Sequence, residues 1–88
     1  MTDYQVKFTT AAAREIRKLD PQIRRRILTS VASLESDPRP DGVRKLTGYD
    51  NAWRIRIGDY RLLYEVTDTT VLVTVFRVAH RRDVYGNL

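Results

Sequence analysis

The chain has 88 residues, 42% of them apolar and 31% charged, with no cysteine, one histidine and a formal net charge of +5. That length predicts one domain, residues 1–88, burying about 60–65% of its unfolded surface in one core. A disulfide framework, a cysteine zinc site and an all-histidine metal centre are excluded. No run approaches the roughly 18 apolar residues of a membrane span, and the N-terminus lacks the apolar stretch of a signal peptide. A cytoplasmic protein with no membrane partner is the expectation. The positive charge favours a polyanionic partner through counterion release, without separating RNA from DNA or an acidic protein. Thirteen of the sixteen basic residues are arginine, a skew that genomic base composition alone also produces.

In chain order, Tyr4 to Phe8 alternates apolar and polar, which predicts a short half-buried strand. Thr9 or Thr10 offers an N-cap, and Ala13, Ile16 and Leu19 follow at helical spacing. Asp20-Pro21 ends that helix and opens another, with aspartate as N-cap and proline at the first helical position. Ile23, Ile27, Val31 and Leu34 are the apolar stripe of this second helix. It stops before Asp37-Pro38-Arg39-Pro40-Asp41-Gly42, whose prolines and glycine cannot continue it. Arg24-Arg25-Arg26 on this helix is either an anion grip or a solvated face.

The second half changes period. Trp53, Ile55 and Ile57 alternate with Arg54 and Arg56, a one-sided strand. Tyr60 to Val66 is the next strand, and the nearly continuous apolar run Val71 to Val78 predicts the central one. Gly58-Asp59 suits a type II′ hairpin turn, and Asp68-Thr69-Thr70 makes a second turn. The expected fold is α+β: an N-terminal strand, a helical hairpin, an antiparallel three-stranded meander and a short C-terminal tail. Both helices pack on one face of the sheet.

A two-residue turn at Gly58-Asp59 fixes the register. Ile57 then pairs with Tyr60, Ile55 with Leu62 and Trp53 with Tyr64, which together form a core face. The same register sets Arg56 opposite Arg61 on the other face, with Arg54 one step along. Like charges facing each other across a strand pair destabilise a sheet. Three guanidiniums on an open face suit phosphate, which planar forked donors bind bidentately. Solvated strand arginines are the alternative. The tail, Val78-Ala79-His80-Arg81-Arg82-Asp83-Val84-Tyr85, either packs Tyr85 on the domain or folds back to add Arg81 and Tyr85 to the cluster.

Lys45-Leu46-Thr47-Gly48, Trp53-Arg54-Ile55-Arg56, Asp59-Tyr60-Arg61-Leu62-Leu63-Tyr64-Glu65-Val66 and Ala79-His80-Arg81-Arg82-Asp83-Val84-Tyr85 together resemble the RelE family of toxin–antitoxin ribonucleases. The resemblance runs nearly the whole chain. It implies the toxin of a type II toxin–antitoxin system, an endoribonuclease that enters the ribosomal A site and cleaves messenger RNA. The messenger's 2′-hydroxyl would attack the adjacent phosphorus without metal or cofactor. By that resemblance Arg61 stabilises the phosphate charge, Arg81 holds the phosphate or assists the leaving group, and Tyr85 stacks on a base or orients the 2′-hydroxyl.

Arg54 and Arg56 fall where well-studied members carry lysines. Lysine can be tuned into a base, whereas arginine stays protonated above about pH 12. The base is then His80, Tyr85 or water. Arg24, Arg25, Arg26, Lys45 and Arg82 are further candidates for contact with RNA or ribosome. A small acidic RelB-like antitoxin is the implied partner, in a hetero-oligomer with an otherwise monomeric toxin, reaching operator DNA only through the antitoxin. Two rivals stand beside this reading: a ParE-type toxin that poisons DNA gyrase without nuclease activity, and an RNA-binding module with no chemistry.

Overall fold

The computed structural model describes residues 3–83. The elements in chain order are strand β1 (Gln5–Phe8), helices α1 (Thr10–Arg17) and α2 (Pro21–Ser33), strands β2 (Arg44–Lys45), β3 (Ala52–Ile57), β4 (Tyr60–Thr67) and β5 (Leu72–His80), and a one-turn 3-10 helix (Arg81–Asp83). The strands form one sheet in the order β1-β5-β4-β3-β2. The α+β class, the helical hairpin and the meander are those the sequence predicts.

Three details differ. β1 runs parallel to β5, so the sheet is mixed, not antiparallel. Arg44–Lys45 adds a short charged edge strand, paired with β3, that no periodicity over two residues reveals. The middle of the sheet is β4, not β5. The near-continuous apolarity of β5 reflects its interior place between β1 and β4. Val71 lies outside β5, at φ +53° in the left-handed region, and closes the preceding turn.

Thr9 caps α1, its Oγ1 accepting the Ala12 N–H at 3.1 Å. α1 buries Ala12 and Ile16, so Ala12 takes the place in the stripe that spacing assigned to Ala13. Asp20 is the N-cap of α2 with Pro21 following, but its carboxylate makes no capping hydrogen bond. Ile27, Val31 and Leu34 of α2 meet Leu62, Tyr64, Val66, Val73 and Val75 in one core. Trp53, Ile55 and Tyr60 pack against it from the sheet. Each fully buried Leu, Ile or Val side chain contributes roughly 1.5–3 kcal/mol. Tyr64 is wholly buried and donates its hydroxyl to the Pro38 carbonyl at 2.8 Å, and burial pushes the phenol far above its ordinary pKa.

β1 ends opposite Val75, which leaves the far half of β5 paired with β4 on one side and without a strand on the other. α1 covers that edge. Thr9 N–H donates to Val75 O at 2.9 Å, and Glu15 Oε1 accepts the Val78 N–H at 2.7 Å. Glu15 Oε2 lies 3.4 Å from Arg77 Nε. These main-chain groups of the edge are thus satisfied by the Thr9 backbone and the Glu15 side chain, as buried or half-buried backbone requires.

Candidate active site

The β3–β4 register is the expected one: Ile57 with Tyr60, Arg56 with Arg61, Ile55 with Leu62, Arg54 with Leu63, Trp53 with Tyr64. Gly58 takes φ +60° while Asp59 stays at negative φ, the combination of a type II′ turn. Because side chains alternate along a strand, Arg54, Arg56 and Arg61 share the face away from both helices. Arg44 joins them, since it pairs with Arg54 across β2 and β3.

These cations sense one another. Arg54 is pushed below its ordinary pKa, first by burial and then by the charges of Arg61, Arg56 and Arg44. It nevertheless stays a cation at neutral pH. Arg61 Nε is buried with no hydrogen-bond partner, a donor whose desolvation is uncompensated within the protein.

The chain leaves β5 directly beside this face. Arg81 donates its main-chain N–H to Asp59 O at 2.8 Å, and its Nε lies 3.9 Å from Asp59 Oδ1. Arg56, Gly58, Asp59, Tyr60, Arg61 and Arg81 line one cleft of about 120 Å³. Three of the expected residues, Arg56, Arg61 and Arg81, therefore meet at one place, with Arg54 next to them in the sheet. Tyr85 lies outside the described residues.

Other expected residues lie elsewhere. His80 pairs with Tyr60, on the helix-facing side of the sheet, and meets the Tyr60 ring edge-on at 5.2 Å. Its Nδ1 accepts the Arg82 main-chain N–H at 3.2 Å. The cause is a β-bulge: the β4–β5 register shifts between Leu63 and Tyr64. Val73 and Val75 face the core, and unbroken alternation would turn Arg77 and Ala79 inward and His80 outward. The extra residue, Phe76, packs instead with Leu46, Ala52 and Leu63 on the open face, and Val78 and His80 turn inward.

Lys45 pairs with Trp53, and its Nζ stands 5.9 Å from the centre of that ring, on the side opposite the arginines. Arg82 is exposed. Arg24 is spent on the α1 terminus, donating to the carbonyls of Ile16 (3.3 Å), Arg17 (3.3 Å) and Leu19 (2.9 Å). Arg25 and Arg26 are exposed on α2. Two residues of the site escape sequence reasoning. Arg44 depends on a strand of two residues, and Asp59 reads as a turn former until Arg81 is seen to hook onto it.

Known proteins share this small α+β domain. The family model described as the ParE toxin of the type II toxin–antitoxin system matches residues 6–85. The chain belongs to this family, and so is a type II toxin of the RelE/ParE superfamily. It is similar to toxin RelG of Mycobacterium tuberculosis, at 38% identity over 86 residues covering 93% of this chain and 95% of that protein. It is also similar to the mRNA interferase toxin RelE of Escherichia coli, at 31% identity over 87 residues covering 94% of this chain and 90% of that one. Among solved structures, a chain of the archaeal RelE–RelB complex from Pyrococcus horikoshii superposes with a TM-score of 0.81. The identity there is 29%, covering 96% of this chain and 100% of that one. Among the described residues, no helix is long and apolar enough to cross a membrane.

Proposed function

We propose that this toxin is a ribosome-dependent endoribonuclease that cleaves messenger RNA in the A site. The observation that carries the reading is the meeting of Arg56, Arg61 and Arg81 at one cleft, built on a like-charge pair that costs the sheet stability. The substrate's 2′-hydroxyl attacks the adjacent phosphorus, the P–O5′ bond breaks, and the products carry a 2′,3′-cyclic phosphate and a 5′-hydroxyl. The nucleophile belongs to the substrate, so this chemistry calls for no metal or cofactor. Arg61 and Arg56 stabilise the charge growing on the phosphate oxygens, which is usually the largest contribution such a site makes. Arg54 adds to the field from the neighbouring position. Arg81, held by Asp59, grips the phosphate or the departing oxygen, and Tyr85 stacks on a base or orients the 2′-hydroxyl. With His80 engaged by Arg82 and Tyr60, the 2′-hydroxyl proton passes to water or to Tyr85. The relatives named mRNA interferase support this reading.

The toxin would be held by an acidic antitoxin, as the RelE–RelB complexes among its structural relatives suggest, and the antitoxin would carry any contact with operator DNA. A gyrase-poisoning activity is the second reading, favoured by the ParE name of the matching family. Both are tested by inducing wild type and a folded Arg61→Ala, Arg81→Ala double variant in bacteria and mapping messenger 5′ ends by primer extension. New 5′-hydroxyl ends inside translated codons, absent with the double variant, are expected. Growth arrest without such ends, unchanged by the substitutions and accompanied by DNA damage signalling, would overturn the nuclease reading in favour of the gyrase poison.

A further inference from the structure

The three consecutive arginines of α2 divide by role. Arg24 is committed to three carbonyls at the end of α1, whereas Arg25 and Arg26 line a groove of about 500 Å³ together with Thr29, Ser30, Arg56 and Gly58. No carboxylate lines it, and among the described residues Arg25, Arg26 and Arg56 form no ion pair. Three guanidiniums and the Ser30 hydroxyl are donors facing a common space, a set that suits phosphate oxygens, while Thr29 donates its own hydroxyl to Arg25 O at 2.9 Å.

The groove adjoins the cleft already described. Arg56 and Gly58 line both. Arg26 lies against the turn between them, with Nη1 3.3 Å from where a Cβ on Gly58 would stand. The positive φ of the turn is what calls for glycine there, and the exposed Arg26 guanidinium simply rests against it. The cationic path therefore continues from the open sheet face, around the Gly58 turn, to the flank of α2. One phosphate does not need two adjoining cation pockets. A strand with a phosphate at every nucleotide does.

We propose that the Arg25–Arg26–Arg56 groove is a second phosphate subsite, which grips the backbone of the RNA strand at a neighbouring linkage while Arg61 and Arg81 hold the reacting one. This rests on the nuclease reading above. The ligand chemistry is an RNA backbone phosphodiester, supplied either by the substrate strand or by ribosomal RNA. Sharing of Arg56 between the two pockets favours the substrate strand.

The test is single-turnover cleavage on ribosomes programmed with messengers that carry one uncharged methylphosphonate, moved position by position on both sides of the cut. At one position the neutral linkage is expected to slow wild type by about tenfold. Arg25→Ala, Arg26→Ala, slower on the ordinary messenger by a similar factor, should suffer no added loss there. Arg25→Ala alone serves if the double variant misfolds. Losses that multiply at every position would overturn the proposal and move the groove's contact to ribosomal RNA. A neutral linkage without effect at any position overturns it too. Wild type that cuts no messenger at all sinks the nuclease reading itself, a result distinct from both.

Discussion

Arg56 and Arg61 are direct partners across the β3–β4 ladder, two guanidiniums opposed on the sheet face that carries no helix. Under the proposed nuclease function, stability and activity therefore pull in opposite directions at this pair. Arg61→Met keeps an apolar stem, removes one of two opposed charges and deletes a buried donor without a partner. Stability measured by denaturant is expected to hold or rise by a few tenths of a kcal/mol. Messenger cleavage should fall by about 10²–10³-fold. A variant that lost stability and kept its activity would sink the assignment.

Asp59 holds Arg81, to which it offers a main-chain acceptor at 2.8 Å and a carboxylate at 3.9 Å, and under the proposed nuclease function it would act through that residue. Asp59→Asn keeps the main-chain hook and removes the charge. The carboxylate and Arg81 are both largely exposed, so the loss is small, roughly two- to fivefold in cleavage. Raised salt should shrink the difference between variant and wild type, which a role confined to the turn would not predict.

Arg24 and Arg25 are sequence neighbours with opposite expected effects. Arg24→Ala frees the α1 carbonyls and is expected to cost about 1–2 kcal/mol, lowering Tm by several degrees in a domain of this size. Arg25→Ala should stay within about 0.5 kcal/mol of wild type. Equal Tm values for the two would contradict the clamp.

Acid sensitivity has one nameable contributor. Arg39 donates to both oxygens of Asp68 at 3.3 and 2.8 Å, and Tyr4 donates to Oδ1 at 2.7 Å. These bonds hold the Asp68 carboxyl below its ordinary value of 3.8, the Arg39 hydrogen bond first and that of Tyr4 second. A depressed carboxyl stabilises the fold fully above its unfolded pKa, and that stabilisation is lost as pH falls through the folded one. Asp68→Asn should therefore melt below wild type at neutral pH, and the gap should close as pH falls below 3.8. A gap independent of pH would mean that the ion pair contributes nothing through charge.

What the residues disclosed and what they hid follow one rule. Trp53 to Val66 was legible because a period of two and a Gly-Asp turn fix register locally, which placed Arg54, Arg56 and Arg61 on one face. The partner of β1 was hidden because a parallel neighbour far along the chain leaves no local signal. The side taken by His80 was hidden because the bulge at Phe76 reverses the alternation, and nothing in the run Leu72 to Ala79 marks where an extra residue enters. Arg24 and Arg25 are alike in the sequence. Only the approach of α1 to α2 separates a clamp from a free cation.

The parallel seam between β1 and β5 also bears on when the molecule comes into being. Chains emerge amino end first during synthesis, and β1 waits for residues 72–75 before it has any neighbour in the sheet. The same stretch delivers Arg81. Without residues 72–81 the β3–β4 hairpin lacks its β5 neighbour and the cleft lacks Arg81. The site is therefore complete only once β5 and Arg81 are in place.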